Sequence, residues 1–144
     1  MTAREKAERL HRKVKTFIIT CIGADGYPLT KAVVPGKIRE TLGEMFFCTN
    51  TSSNFAAAIR ENPKAGAYFY SRALFVWQGC ALKGRMEIVE DAAMKSRLWQ
   101  EKFKNAYPEK APSDPDFCVL RFAPVSGRYY SNFMLEDFEV KGSA

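Results

Sequence analysis

An antiparallel β-barrel with a few flanking helices is the fold this sequence predicts. Three observations point to it. Seven β-rich runs follow one another, most of them joined by short turns. Three stretches carry helical patterning. The chain has 144 residues, 47% hydrophobic and 26% charged, which suits one domain around one core. The expected domain runs over residues 1–140, with the "KGSA" of 141–144 as a tail.

The elements follow in order. "MTAREKAERLHRKVK" spaces Ala3, Ala7, Leu10 and Val14 along one stripe, so residues 1–15 are expected to form a basic amphipathic helix. "TFIITCIGADGYPLTKAVVPGKI" places two strand-like runs around Asp25-Gly26, a strong hairpin signal. Pro28 and Pro35 assign the second run to an edge, a bulge or a strand end. Residues 44–48 form a third strand. A short helix ends near Glu61, because Asn62 precedes Pro63 and a residue before proline avoids the helical region. "KAGAYFYS" and "LFVWQGCALKGRMEIVE" read as two more strands, with bulges expected at Gly79 and Gly84. Asp91 caps a helix expected to run to about Ala106. A proline-rich loop follows. "FCVLRFAPVSGRYYSNFMLEDFEV" supplies the last two strands, expected to turn around Ser126-Gly127.

The net charge is +6, and residues 1–15 hold six Lys/Arg against two Glu, so most of it sits at the N-terminus. Such a surface suits a phosphorylated ligand or nucleic acid, or is simply a solvated helix face. The aromatic residues lie mostly in strand-like runs, so base stacking on an open sheet gains little support and no nucleic-acid partner is expected. Cys21, Cys48, Cys80 and Cys118 stand far apart without a C-x-x-C pair, and His11 is the one histidine, expected to be exposed on the charged helix. No metal site is expected from these residues. No apolar run approaches the ~20 residues of a membrane span. The charged N-terminus lacks a signal core, so the protein is expected in the cytoplasm and off the membrane.

The segment most in need of explanation is "FFCTNTSSNFAAAIRENP". An aromatic strand runs into Thr49, Asn50, Thr51, Ser52, Ser53 and Asn54 and then into an alanine-rich helix. A helix start exposes unpaired N–H groups and the positive end of the dipole, so hydroxyl and amide side chains there make a phosphate site. Capping by Ser52 or Ser53 is the simpler use of the same residues. Lys31 on the preceding hairpin can reach an anion as a point charge. The Ala32-Val33-Val34 wall, Trp77 and Gln78 on the long strand, and Tyr129 and Tyr130 on a late one suit a flat, phosphorylated heteroaromatic ligand.

"DGYPLTKAVVPG", "MFFCTNTSSNFAAAIRENP", "GCALKGRMEIVED" and "PDFCVLRFAPVSGRYY", in that order over about residues 12–135, resemble the FMN-binding split-barrel superfamily. The resemblance is to its pyridoxamine 5′-phosphate oxidase-like branch, with the general-stress and nitroimidazole-resistance types. It implies an antiparallel split β-barrel of six to seven strands, a homodimer, and two FMN sites at the subunit interface. It implies that Lys31 stands near the flavin phosphate and that Ala32, Val33 and Val34 run beside the ring. It assigns cofactor contacts to Cys48 and Thr49, and phosphate contacts to Ser53 and Asn54. It brings Trp77 and Gln78 to the ring, and Tyr129 and Tyr130 from the partner subunit. Three positions depart from the pattern. Phe55 replaces a lysine common among relatives, Asn54 replaces an arginine of true pyridoxamine phosphate oxidases, and Gly36 replaces their substrate-binding lysine. Their C-terminal Trp and Arg-His segment has no counterpart, so vitamin B6 oxidation is not expected.

The resemblance thus implies an FMN-dependent oxidoreductase acting on a small molecule, with NAD(P)H or another reductant as electron donor. The alternative is a non-enzymatic carrier or sensor of flavin, haem or deazaflavin. The catalytic residues are not assigned, since a flavin would carry the electrons itself.

Overall fold

The computed structural model describes residues 1–140; the 141–144 tail lies outside the described residues. The architecture is mostly β. Seven antiparallel strands form one sheet, β1 (Phe17–Ile22), β2 (Pro28–Val33), β3 (Met45–Asn50), β4 (Lys64–Ala73), β5 (Val76–Val89), β6 (Phe117–Ser131) and β7 (Met134–Glu139). The spatial order is β2-β1-β4-β5-β6-β3, with β7 also paired to β6. Three α-helices flank it among the described residues, α1 (Ala3–Lys13), α2 (Asn54–Glu61) and α3 (Ala92–Leu98).

β6 organises the sheet. It pairs with β5 along nearly its whole length, with β3 through Phe117–Phe122, and with β7 through Ser126–Ser131. β3 and β7 therefore share one edge of β6, each at one of its two ends. The sheet curls until the end of β2 meets β3. There Pro35 bridges to Phe47 and the Gly36 N–H donates to the Phe46 carbonyl at 2.7 Å. The sheet is a split barrel with a seam between β2 and β3.

The Asp25-Gly26 hairpin forms as its sequence predicts. Gly26 takes φ +83°, and Asp25 Oδ1 accepts the Tyr27 N–H at 3.0 Å, a closure that glycine and aspartate both favour. Pro28 opens edge strand β2, where its missing N–H costs little. The bulge at Gly84 is present as a register shift between Lys83 and Gly84. Gly79 makes no bulge: it pairs regularly with Tyr130, and its bare backbone leaves room for the Tyr130 ring.

Two other expectations change. Ser126-Gly127 is not a turn but the middle of continuous β6, and the chain reverses at Asn132-Phe133, both at positive φ. Gly127 serves packing, since a Cβ there would meet Phe138 and Leu82. The helix after Asp91 stops at Leu98, not near Ala106, and a 3-10 turn follows over Glu101–Asn105. Trp99 leaves the helix in extended conformation (φ −63°, ψ 138°), and its indole packs edge-on against Phe117 at 5.0 Å.

Two cores result. One fills the barrel between the sheet, α1 and α2, around Phe17, Phe47, Phe55, Phe69 and Phe122. The other lies on the far side of β3 and β6, around Phe46, Leu98, Trp99, Tyr107 and Phe117. His11, expected at the surface, is buried in the first core, 3% exposed, with its ring edge-on to Phe17 at 5.6 Å and to Phe69 at 6.0 Å. It sits one position past Leu10 on the inward face of α1. Arg39 donates Nη2 to the carbonyls of His11 and Val14, closing the exposed end of that helix.

Candidate functional site

The β3–α2 connection answers most of the question its sequence raises. Ser53 is the N-cap, its Oγ accepting the Ala56 N–H at 3.1 Å. Asn50, Thr51 and Ser52 are tied to Asp116, in the loop before β6. Asp116 accepts from Asn50 Nδ2 at 2.9 Å and from the Ser52 N–H at 2.8 Å, while its carbonyl accepts the Thr51 N–H at 2.9 Å. The Ser52 N–H bond, with Asn50 second, holds the Asp116 carboxyl below its ordinary pKa. Three residues of the polar row are thus committed to shaping the loop. Thr49, the Ser53 cap and Asn54 remain for a ligand.

Lys31 and Thr49 meet across the seam. Lys31 Nζ donates to Thr49 Oγ1 at 2.5 Å, joining β2 to β3 on the inner side of the barrel. The same ammonium lies over the ring of Phe55, 4.9 Å from its centroid, at the second residue of α2. Phe55 itself is buried in the core. Burial lowers the Lys31 pKa. Among the described residues Lys31 has no carboxylate partner. A half-buried cation whose one hydrogen-bond partner is a neutral hydroxyl attracts an anion strongly, since buried charges are ordinarily paired. The first N–H groups of α2, at Asn54 and Phe55, have no acceptor within the helix. Behind this pair, Tyr107 donates its hydroxyl to the Thr49 carbonyl at 2.6 Å, and burial pushes its pKa up to about 12.

The remaining predicted residues fall elsewhere. Ala32 faces the outside of the sheet and is exposed; Val33 is buried and Val34 exposed. Cys48 is half-buried beside the second core, its thiol pushed up to about 12 by burial, so it stays protonated. Ala32 pairs with Ile18 and Ile18 with Tyr68, which puts all three in one row on the outer face. The row continues into an aromatic cluster: the Tyr68 and Tyr130 hydroxyls are hydrogen-bonded, Trp77 Nε1 donates to Tyr130 Oη at 2.9 Å, and Tyr70 stacks on Trp77 at 5.9 Å. Gln78 and Tyr129 lie on the opposite face of β5 and β6, where the Tyr129 hydroxyl donates to Gln78 Oε1 at 3.0 Å.

One chain does not gather these groups into one pocket. A cavity of about 750 Å³ lies between the Asp25-Gly26 turn and α2, and of the predicted residues it includes Asn54. Its charged lining residues are Asp25 and Glu61, so it does not suit an anion. Trp77 and Tyr130 line a separate cavity with Asn132, Phe133 and Leu135. Gln78 and Tyr129 line a third, against α1. Asp116, Tyr107 and Tyr68 are absent from the sequence-based reading. The D-P-D stretch was a visible signal for Asp116, but its partners lie far away in sequence.

A sequence model described as pyridoxamine 5′-phosphate oxidase like matches residues 4–138. The chain belongs to this family. Solved structures share its fold. A Clostridium acetobutylicum protein related to general stress protein 26 of Bacillus subtilis is 28% identical, covering 97% of each chain with a TM-score of 0.82. A pyridoxamine 5′-phosphate oxidase-related, FMN-binding protein of Nostoc punctiforme is 17% identical over 95% of this chain and 94% of its own, with a TM-score of 0.69. A haem-binding protein of Mycobacterium smegmatis is 15% identical over 96% of this chain and 58% of its own, with a TM-score of 0.77. No curated protein matches the chain. Neighbours that share the fold thus carry names with two different cofactors, FMN and haem. No helix among the described residues is long and apolar enough to cross a membrane.

Proposed function

We propose that the protein binds FMN between two copies of its chain and acts as a flavin-dependent oxidoreductase on a small molecule. The observation that carries this reading is the Lys31–Thr49 pair beside the start of α2, a half-buried ammonium without a carboxylate partner. A flavin phosphate supplies the missing negative charge. Lys31, the Thr49 hydroxyl and the first N–H groups of α2 are the donors that would hold it. Phe55 in the core removes a second cation, so the phosphate is held by one charge and neutral donors. The Tyr68–Tyr130–Trp77 row on the outer face of a second copy offers the flat surface that an aromatic ring system needs. FMN, when bound, supplies the capacity to accept and donate hydride or single electrons. The protein's own part is to orient the ring and exclude water.

The dispersal of these residues over three cavities supports a homodimer, in which the partner brings Trp77 or Tyr130 to the Lys31 side. Haem is the less favoured cofactor, because His11 is enclosed by Phe17 and Phe69 in the core and offers no ligand. NAD(P)H is the proposed electron donor, and the cytoplasm the proposed location.

The test is a fluorescence titration of the chain with FMN and with riboflavin. Lys31→Met weakens FMN by about 1.5–3 kcal/mol, the worth of a hydrogen bond to a charged group, and leaves riboflavin nearly unchanged. Equal losses for both ligands would remove the phosphate from this site.

A further inference from the structure

A basic cleft lies between α1 and the sheet. Lys6, Arg9 and Lys13 line one wall of a cavity of about 340 Å³, and Gln78, Tyr129 and Ser131 line the other. Positions 6, 9 and 13 fall on one side of a helix, away from the Ala7 and Leu10 that enter the core. Lys6 shares its charge with Glu136 at 3.7 Å. Arg9 and Lys13 are exposed and have no carboxylate partner among the described residues. The strand wall adds neutral donors. Gln78 and Ser131 are cross-strand partners. The Tyr129 hydroxyl occupies Gln78 Oε1, which leaves the Gln78 amide N–H groups to donate elsewhere.

We propose that this cleft binds the phosphate of a small, soluble phosphorylated compound. Two unpaired cations, an amide and a hydroxyl match a tetrahedral anion with several acceptor oxygens. The concavity and volume fit one small molecule; a nucleic-acid strand is recognised by a long cationic track instead. The site is distinct from the flavin phosphate site at Lys31, although the flavin reading shares Gln78 and Tyr129 with it.

Calorimetric titration of the full chain with inorganic pyrophosphate tests this. In the Lys31→Met chain, which lacks the other phosphate contact, one pyrophosphate binds per chain, more weakly as salt rises. The double variant Arg9→Gln, Lys13→Gln lowers the affinity about tenfold or more, the scale of one lost charge-assisted bond. Arg4→Gln, which removes a cation already paired with Glu8, leaves it unchanged. FMN binding, read separately by fluorescence, is unaffected by the double variant, so failure of the flavin reading and failure of this one are distinguishable. Four results would overturn the proposal: no saturable pyrophosphate binding, equal loss in Arg4→Gln, concurrent loss of FMN, or tighter binding of a single-stranded oligonucleotide that displaces pyrophosphate. The last would make α1 a nucleic-acid surface.

Discussion

His11 shows how one residue can be misread from its neighbours. It stands in "RLHRKVK", among four cations, and its type suggests solvent. Helical phase decides otherwise, since it follows Leu10 on the inward side and meets Phe17 and Phe69. Burial, with the charges of Arg39 and Arg12, lowers its pKa to about 4. The neutral ring is therefore the form the fold accepts. An unfolded histidine takes a proton below about pH 6.5, so stability is full above that pH and is lost as the pH falls toward 4. Urea unfolding at pH 7 and pH 4.5 is expected to show a fall about 2 kcal/mol larger for the native chain than for His11→Leu. An identical fall in both would mean that His11 does not govern the acid limb. Lys31 is the contrasting case. Its place on the hairpin before "AVVPG" suggests an anion contact, and the structure gives it a hydroxyl partner and, among the described residues, no acidic one.

At the scale of elements, local signals were readable and distant ones were not. Asp25-Gly26 closes its own turn by adjacent atoms, so the sequence displays it. Gly127 looks like a turn residue for the same reason, yet its role is set by Phe138 on the next strand and Leu82 on β5. Trp99 ends α3 because of Phe117, which no helical pattern encodes. The polar row before α2 divides along this line as well. Ser53 capping is local, and Ser53→Ala is expected to lower stability by about 1 kcal/mol in urea unfolding. The Asp116 latch is distant, joining residues 50–52 to the end of the proline-rich loop. Asp116→Ala is expected to speed amide hydrogen exchange at Thr51 and Ser52 while the centre of β5 stays protected. Unchanged exchange at both would show that the row holds its shape without the latch.

Across the whole molecule, apolar surface collects at one end. The β4–β5 tip exposes Leu74 and Phe75, each 94% accessible, and the β6–β7 tip exposes Phe133, Met134 and Leu135. The tips are neighbours, since Asn132 Oδ1 accepts the Trp77 N–H at 2.9 Å. Surface of this kind is typical of a protein-binding face. Sedimentation is expected to give a dimer for the native chain and a monomer for Phe75→Asp, Phe133→Asp, with the circular dichroism of a folded chain and an unfolding midpoint that no longer depends on protein concentration; a native monomer at micromolar concentration would refute it. The arrangement of β6 also has a kinetic consequence. β3 finds its partner about seventy residues further along the chain, and pairings of such span are slow to form. During synthesis β3 and α2 emerge long before Phe117–Phe122 can join them. The late arrival of β6 then fastens β3 to β5 in one step, so the newborn chain holds an unpartnered aromatic strand until Phe117–Phe122 have been made.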